Sequence, residues 1–135
     1  MTKVSVLDAS AVLAYLQQER GEDRVEAALD AGLCWITAVN LSEVLGKLCD
    51  KGMPFQEAQA AVNDLGLVVV DFDAELAALA ASIKTRTKSI GASLGDRACL
   101  ALAQRAAGGQ TAPTVLTAEH AWTKFKWPFK VLVIR

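Results

Sequence analysis

The chain has 135 residues, with 15 acidic and 14 basic side chains and a formal net charge of −1. A hydrophobic fraction of 53% and a charged fraction of 21% exclude an intrinsically disordered protein, and the length fits one domain over residues 1–135. The near-zero net charge argues against a nucleic-acid-binding protein, because such proteins usually carry a basic excess.

The charge is divided unevenly along the chain. Residues 1–75 hold thirteen acids and five bases, whereas residues 76–135 hold two acids and nine bases. A division of this kind predicts a polar molecule with one face suited to an anionic partner, which restores the nucleic-acid hypothesis that the total charge argues against.

The cysteine content predicts neither a disulfide framework nor a zinc site. No C-x-x-C pair exists, and the single His120 cannot complete a zinc ligand set. We therefore expect reduced thiols in a cytoplasmic protein without a membrane partner, because no uncharged stretch is long enough to span a bilayer. Asp8 also interrupts the first apolar run, which argues against a signal peptide.

Short β-rich runs alternate with helical patterns along the whole chain. The predicted strands are residues 4–7, 33–36, 67–70, 113–116 and 130–134. The predicted helices are residues 9–18, 23–31, 39–51, 54–65, 74–86, 94–107 and 118–124. This alternation predicts an α/β fold with a central parallel sheet of about five strands and helices on both faces.

Small polar residues and one proline mark the predicted helix starts. Thr37 and Asp73 are placed to cap the helices that follow them. Ser93 lies three residues before Asp96, a spacing that predicts a capping box. Pro54 is expected at the first helical position.

Four acids stand near predicted helix starts: Asp8, Glu43, Asp96 and Glu119. Each by itself has a local explanation as a cap or as a negative charge that favours the positive end of a helix dipole. In a parallel sheet, however, the helix starts that follow strands gather at one edge. Carboxylates that converge there repel one another unless a cation neutralises them, and oxygen ligands suit Mg²⁺ or Mn²⁺.

The chain resembles the PIN domain family, and most closely the VapC-type ribonuclease toxins of bacterial toxin–antitoxin pairs. The resemblance covers nearly all of the chain and rests on four motifs in order. They are Val6-Leu7-Asp8-Ala9-Ser10, the segment from Thr37 to Glu43, Ser93-Leu94-Gly95-Asp96-Arg97, and Leu116-Thr117-Ala118-Glu119.

The resemblance implies a magnesium- or manganese-dependent active site that cleaves RNA, with Asp8, Glu43 and Asp96 as its core acids. Asp8 and Asp96 would bind the metal directly, and Glu43 would bind through water or orient the nucleophile. The fourth acidic position is usually Asp in the family and is Glu119 here. Glu keeps the charge of Asp but is one methylene longer, so its carboxylate reaches a different position. The resemblance therefore does not decide whether the site holds one metal ion or two.

The resemblance also assigns supporting and substrate-binding residues. Ser10 and Thr117 would be supporting hydroxyls. Arg97 matches an arginine that is common beside the third acid, and both a phosphate contact and a local salt bridge remain open for it.

Basic residues outside the motifs offer further contacts for RNA. Lys84, Arg86 and Lys88 alternate before the Asp96 loop, where they are expected to attract phosphate groups. Further lysines lie among aromatic side chains between Trp122 and Lys130. These aromatics either stack on bases or cover the last strand as part of the core.

The resemblance further implies a cognate small antitoxin protein as partner and a homodimer. Two other functions remain open from the residues. One is a catalytically weak PIN-like module that binds RNA or a partner protein, which the Glu119 departure favours. The other is a metal-dependent phosphatase, which is disfavoured because Ser10 stands where the haloacid-dehalogenase pattern needs a second Asp.

Overall fold

The fold is built on a five-stranded parallel sheet with the order β3-β2-β1-β4-β5. It is seen in a computed structural model that describes residues 3–109 and 112–135. The strands are β1 (Val4–Leu7), β2 (Leu33–Thr37), β3 (Val68–Val70), β4 (Thr114–Thr117) and β5 (Lys130–Val133). The predicted α/β class with a parallel sheet of about five strands is confirmed.

Helices connect these strands and cover both faces of the sheet. The α-helices are α1 (Ala9–Leu16), α2 (Glu22–Ala31), α3 (Ala38–Asp50), α4 (Phe55–Asn63), α5 (Ala74–Arg86) and α6 (Leu94–Ala107). Two 3₁₀ helices complete the described elements, Lys88–Ile90 and His120–Lys124. None of the helices in the described ranges is both long enough and apolar enough to cross a bilayer.

Successive side chains of the central strands pack on opposite faces. Leu7 and Leu116 join the core beneath α1 to α4, whereas Val6 and Val115 join the core beneath α5 and α6. This division follows from the period-two alternation of side chains along a strand. Both faces of β1 are buried, as expected for the middle strand of a parallel sheet.

The strand register brings three polar residues to one edge of the sheet. Leu7 pairs with Leu116, and Val6 pairs with Trp35. Asp8 and Thr117 therefore lie side by side at the carboxyl ends of β1 and β4, with Thr37 at the end of neighbouring β2. This is the edge at which parallel α/β sheets carry their ligand sites.

Side-chain caps begin three helices as predicted. Thr37 Oγ1 accepts a hydrogen bond from the backbone N–H of Asn40, and Asp73 Oδ1 accepts one from that of Leu76. The capping box of Ser93 and Asp96 is present in both directions. These local signals were readable in the sequence because a cap and its helix are only three residues apart.

Some predicted boundaries were wrong by a few residues. Pro54 precedes the first helical residue of α4, with an extended ψ of 142°, instead of occupying the first helical position. The predicted helix 118–124 is a 3₁₀ helix that begins at His120, because Glu119 is extended. The loop before α6 contains the 3₁₀ helix Lys88–Ile90, which is followed by Gly91 with a φ of 62° that suits glycine.

Candidate metal centre

Asp8 lies at the carboxyl end of β1 and is only 4% exposed. Its Oδ1 accepts hydrogen bonds from the Ser10 hydroxyl at 2.7 Å and from the backbone N–H of Ala11 at 2.9 Å. Its Oδ2 accepts one from the Thr117 hydroxyl at 2.6 Å. Asp8 is thus both the cap of α1 and a carboxylate held rigidly at the sheet edge.

Burial raises the pKa of Asp8 to about 6, against an ordinary value of 3.8. The three hydrogen bonds oppose this shift because they favour the charged carboxylate, and the nearby charge of Asp96 adds to it. A buried carboxylate beside a second acid is a high-energy arrangement that a cation would relieve.

Ser10 and Thr117 each link Asp8 to the segment that follows β4. The Ser10 hydroxyl accepts from the backbone N–H of Ala118 at 2.9 Å, and the Thr117 hydroxyl accepts from that of Glu119 at 3.0 Å. Both hydroxyls therefore donate to the carboxylate and accept from the backbone beside it. The structure places both predicted supporting hydroxyls against Asp8.

Glu43 projects from α3 towards the start of α6. Its Oε1 accepts a hydrogen bond from the side-chain amide of Asn40 at 2.9 Å. The same amide donates to the Gly95 carbonyl oxygen at 3.0 Å. The Glu43 carboxylate occupies the space that a Cβ on residue 95 would fill, so glycine at this position lets α3 and α6 approach closely.

Asp96 has a capping role as well as a place at the site. Its Oδ2 accepts a hydrogen bond from the backbone N–H of Ser93 at 2.9 Å, and its own N–H donates to Ser93 Oγ at 3.1 Å. The capping box fixes the carboxylate at the positive end of the α6 dipole.

The four predicted acids border one open cavity of about 380 Å³ at this edge of the sheet. Asp8 lies at its buried base, and Glu119 lies exposed beside it. The lining is completed by Ala9, Ser10, Leu13, Gln17, Glu19, Asn40, Glu43, Lys47, Lys51, Asp96 and Arg135. The structure therefore brings together the acids of all four motifs.

Among the described residues, none of the four motif acids has a basic side chain within ion-pair distance. Within the described ranges, the ion pairs are those of Arg105 and Arg135 with acids other than the four motif acids. Burial raises the pKa of the Cys99 thiol well above its usual range, and the charges of Asp8, Asp96 and Glu43 raise it further. One buried thiol therefore experiences the field of three motif acids.

The ligand chemistry fits Mg²⁺ or Mn²⁺, since carboxylate oxygens are the donors that such hard cations prefer. In residues 3–109 and 112–135, however, no three Asp, Glu, His or Cys side chains form a group that could hold a metal ion as it stands. Several of the carboxylate oxygens already accept hydrogen bonds from the protein: both oxygens of Asp8, and Oδ2 of Asp96. The predicted ligands thus share one cavity without being drawn into one coordination sphere.

None of the four predicted substrate-binding residues lines this cavity. Arg97 is turned towards α5, where its Nη1 donates to the Ala80 carbonyl oxygen at 3.2 Å. That contact is neither of the two roles left open for it. Lys84 and Lys88 are exposed beside a separate cavity of about 380 Å³.

Arg86 is engaged with the aromatic residues before β5. Its guanidinium lies 4.3 Å from the centre of the Trp127 ring and donates to the Lys126 carbonyl oxygen. Trp127 also stacks on Phe129 at 5.4 Å between ring centres. Since Trp127 and Phe129 pack against the core beneath α5 and α6, these two aromatics cover the last strand instead of standing free for bases.

The cavity residues that sequence reasoning missed include Asn40, Lys47 and Lys51. Asn40 was not singled out, although its position three residues after Thr37 and three before Glu43 places it on their helix face. Lys47 and Lys51 follow Glu43 at intervals of four, which is a readable signal for a shared face. The predicted basic residues were chosen for their clustering in sequence, which does not report where they face.

Solved structures similar to this chain share its fold over nearly its whole length. DNA-bound VapBC from Salmonella typhimurium matches with a TM-score of 0.69 at 17% identity, covering 98% of each chain. FitAcB from Neisseria gonorrhoeae gives 0.62 at 19% identity over 95% of each chain. VapBC-5 from Mycobacterium tuberculosis, described as a toxin–antitoxin system, gives 0.62 at 18% identity over 96% and 97%.

Sequence comparison with curated proteins gives no match. The family model described as the PIN domain matches residues 5–122, which include all four motif acids. This range is well over half of the chain, and the family resemblance read from the four motifs is confirmed: the chain belongs to the PIN domain family.

Proposed function

We propose that this protein is a divalent-metal-dependent endoribonuclease that hydrolyses RNA phosphodiester bonds as the toxin of a toxin–antitoxin pair. The observation that carries the proposal is the meeting of Asp8, Glu43 and Asp96 around one open cavity at the carboxyl edge of a PIN-fold sheet. None of these acids has a basic partner among the ion pairs of the described residues.

Asp8 and Asp96 would hold Mg²⁺ or Mn²⁺ directly, and Glu43 would hold it through water. When bound there, the ion would supply a nucleophilic water at neutral pH and offset the charge on the reacting phosphate. Glu119 would stand at the exposed rim, where its longer side chain still reaches over the cavity that it lines.

The surrounding residues would keep the acids in position through the reaction. The Ser10 hydroxyl donates to one oxygen of Asp8 and the Thr117 hydroxyl donates to the other, so the carboxylate keeps a fixed orientation at the sheet edge. Asn40 holds Glu43 Oε1, which leaves Glu43 placed to orient the attacking water. Such fixed placement lowers the barrier because the groups need no reorganisation when the phosphorus–oxygen bond breaks.

The toxin role also implies a cognate small antitoxin protein, a homodimer and a cytoplasmic location. Similar folds occur in the structures of VapBC from Salmonella typhimurium, FitAcB from Neisseria gonorrhoeae and a toxin–antitoxin complex from Klebsiella pneumoniae. An apolar groove between α3 and α4 supports a protein partner, because Phe55 is 55% exposed beside Leu41 and Leu45.

The experiment is cleavage of single-stranded RNA by the purified full-length chain with Mg²⁺ or Mn²⁺, with and without EDTA. Cleavage is expected with either metal and is expected to stop with EDTA. Asp8→Asn and Asp96→Asn should both abolish it. Asp30→Asn is the matched control, because Asp30 is exposed on α2 outside the cavity. Full activity in both cavity variants would reject the site.

A catalytically weak module that binds RNA or a partner protein is the second candidate. It is favoured by the separation of the carboxylates, which do not form a three-ligand group among the described residues, and by the exposed Glu119. Calorimetry with Mn²⁺ separates the two functions. Absence of binding at millimolar Mn²⁺, together with absence of cleavage, would select the binding module.

A further inference from the structure

The cavity is also lined by two basic residues, Lys47 within α3 and Lys51 directly after its last residue. Both lysines line the same cavity as Glu43, from which they are separated by four and eight residues. On a helix this spacing places side chains in one row, with about 6 Å of rise between neighbours. The row therefore passes from an acid beside Gly95 to two cations near the end of α3.

Both lysines are exposed and available for a ligand. Within the part of the chain that the structure describes, no ion pair involves Lys47 or Lys51. The third cation of the cavity, Arg135, differs because it pairs with Glu19 at 3.7 Å and donates to the Arg20 carbonyl oxygen. Two ammonium groups without an ion-pair partner among the described residues thus line the same cavity as the motif acids.

A phosphodiester chain matches this order of charges. A polyanion at the acids alone would be repelled, whereas one that also reaches the lysines gains attraction along its flanking phosphates. Each nucleotide of a strand carries one phosphate charge, and the two lysines offer two successive cations separated by about 6 Å of helix rise. Lysine suits this role because its ammonium binds phosphate as a point charge.

We propose that Lys47 and Lys51 bind the phosphates of single-stranded RNA next to the scissile bond, so that the strand crosses the acids and runs along α3. This inference rests on the proposed ribonuclease function. It replaces Lys84, Arg86 and Lys88, which lie outside the cavity, as the principal phosphate contacts.

The test measures the affinity of a fluorescent single-stranded RNA for the full-length chain as salt is raised, with EDTA present to prevent cleavage. Lys47→Gln/Lys51→Gln should bind RNA more weakly. The plot of log affinity against log salt should become less steep by about 1.4, because each of the two lost phosphate contacts accounts for about 0.7 of the slope. Lys47→Arg/Lys51→Arg should restore most of the slope. Lys3→Gln, at the opposite edge of the sheet, is the control.

Kinetics with metal provide the second measurement. The glutamine double variant should raise KM with kcat nearly unchanged, because flanking phosphates are bound equally in the ground state and the transition state. If the wild type cleaves RNA but the glutamine double variant has the wild-type slope and KM, the inference is overturned while the proposed function stands. A larger effect from Lys84→Gln/Lys88→Gln would also overturn the inference. A wild type that neither binds nor cleaves RNA would instead overturn the proposed function.

Discussion

Thr117 donates its hydroxyl proton to Asp8 Oδ2 at 2.6 Å, joining two strand ends that are 109 residues apart in sequence. Thr117 is fully buried, and it also accepts a hydrogen bond from the backbone N–H of Glu119. The Thr117 hydroxyl therefore orients Asp8, the most buried acid of the cavity. It also fixes the backbone of the segment that carries Glu119, the most exposed one. The charge on Asp8 is nevertheless costly, since burial outweighs its three hydrogen bonds.

The first prediction concerns the pH dependence of stability without metal. The folded pKa of Asp8, about 6, lies above its ordinary 3.8, so protonated Asp8 favours the fold. Its contribution is fully present below pH 3.8 and is lost as the pH rises through 6. The difference corresponds to about 3 kcal/mol. The stability of Asp8→Asn relative to wild type should increase by up to that amount between about pH 4 and about pH 7.

Urea unfolding with EDTA at each pH measures this prediction, and the comparison of two chains cancels the other titrating groups. Asp96→Asn should behave differently, because Asp96 stabilises the first turn of α6 through the capping box. Loss of that charged cap offsets the relief of repulsion. An unchanged difference between Asp8→Asn and wild type across this pH range would contradict the burial argument.

The second prediction uses Gly95. A methyl group at this position would occupy the space of the Glu43 carboxylate and force that flexible side chain to move. Alanine favours a helix by about 1 kcal/mol, which offsets the loss of the hydrogen bond between Asn40 and Glu43, so Gly95→Ala should be about as stable as wild type. Its RNA cleavage should fall about 100-fold, since a small displacement of a positioned group has an effect of that order.

Gly46→Ala is the matched control, because Gly46 lies within α3 and a Cβ there meets no atom within 4 Å. It should gain similar helix stability and retain cleavage activity. Thermal unfolding and initial cleavage rates of both variants make the comparison. Equal activity in the two alanine variants would show that the position of Glu43 is unimportant.

The third prediction concerns Asn40, which is 1% exposed and links Glu43 to the Gly95 carbonyl oxygen. Asn40→Ala should lower the free energy of unfolding by about 1–3 kcal/mol, because buried polar groups lose their partners. Its kcat should also fall while KM changes little, as expected when a catalytic acid loses its orientation.

Urea unfolding and steady-state cleavage test this variant beside Asn63→Ala. Asn63 is the last residue of α4 and is exposed outside the cavity. Asn63→Ala should leave kcat unaltered. If Asn40→Ala lost stability but retained the wild-type kcat, its role would be in the fold alone.

The fourth prediction separates structure from RNA binding at Arg86. Arg86→Ala should lower the free energy of unfolding by about 1 kcal/mol, because the guanidinium covers the Trp127 ring. Arg86→Lys should recover only part of this loss, since lysine lacks the planar group that stacks on an aromatic face.

Lys84→Ala on the same exposed end of α5 should change stability by less than about 0.5 kcal/mol. Thermal unfolding and RNA affinity at fixed salt distinguish the two effects. A loss of RNA affinity in Arg86→Ala greater than in the Lys47 and Lys51 variants would instead assign Arg86 to the RNA path.

The sequence by itself determined the strands, the helix caps and the four acids, because each rests on local spacing. The alternation of strands and helices predicted a parallel sheet, and caps such as that of Ser93 and Asp96 connect residues three positions apart. The carboxyl-edge rule then placed Asp8 at the site without knowledge of the strand order.

Only the tertiary structure decided which side chains face the cavity and which partners they have. Arg86 and Arg97 are engaged with Trp127 and the Ala80 carbonyl oxygen, whereas Lys47 and Lys51 line the cavity. The pKa of Asp8 likewise depends on burial by segments distant in sequence. Contacts of this kind are set by how α3, α5 and α6 pack on the sheet, and a one-dimensional pattern of residues does not contain that packing.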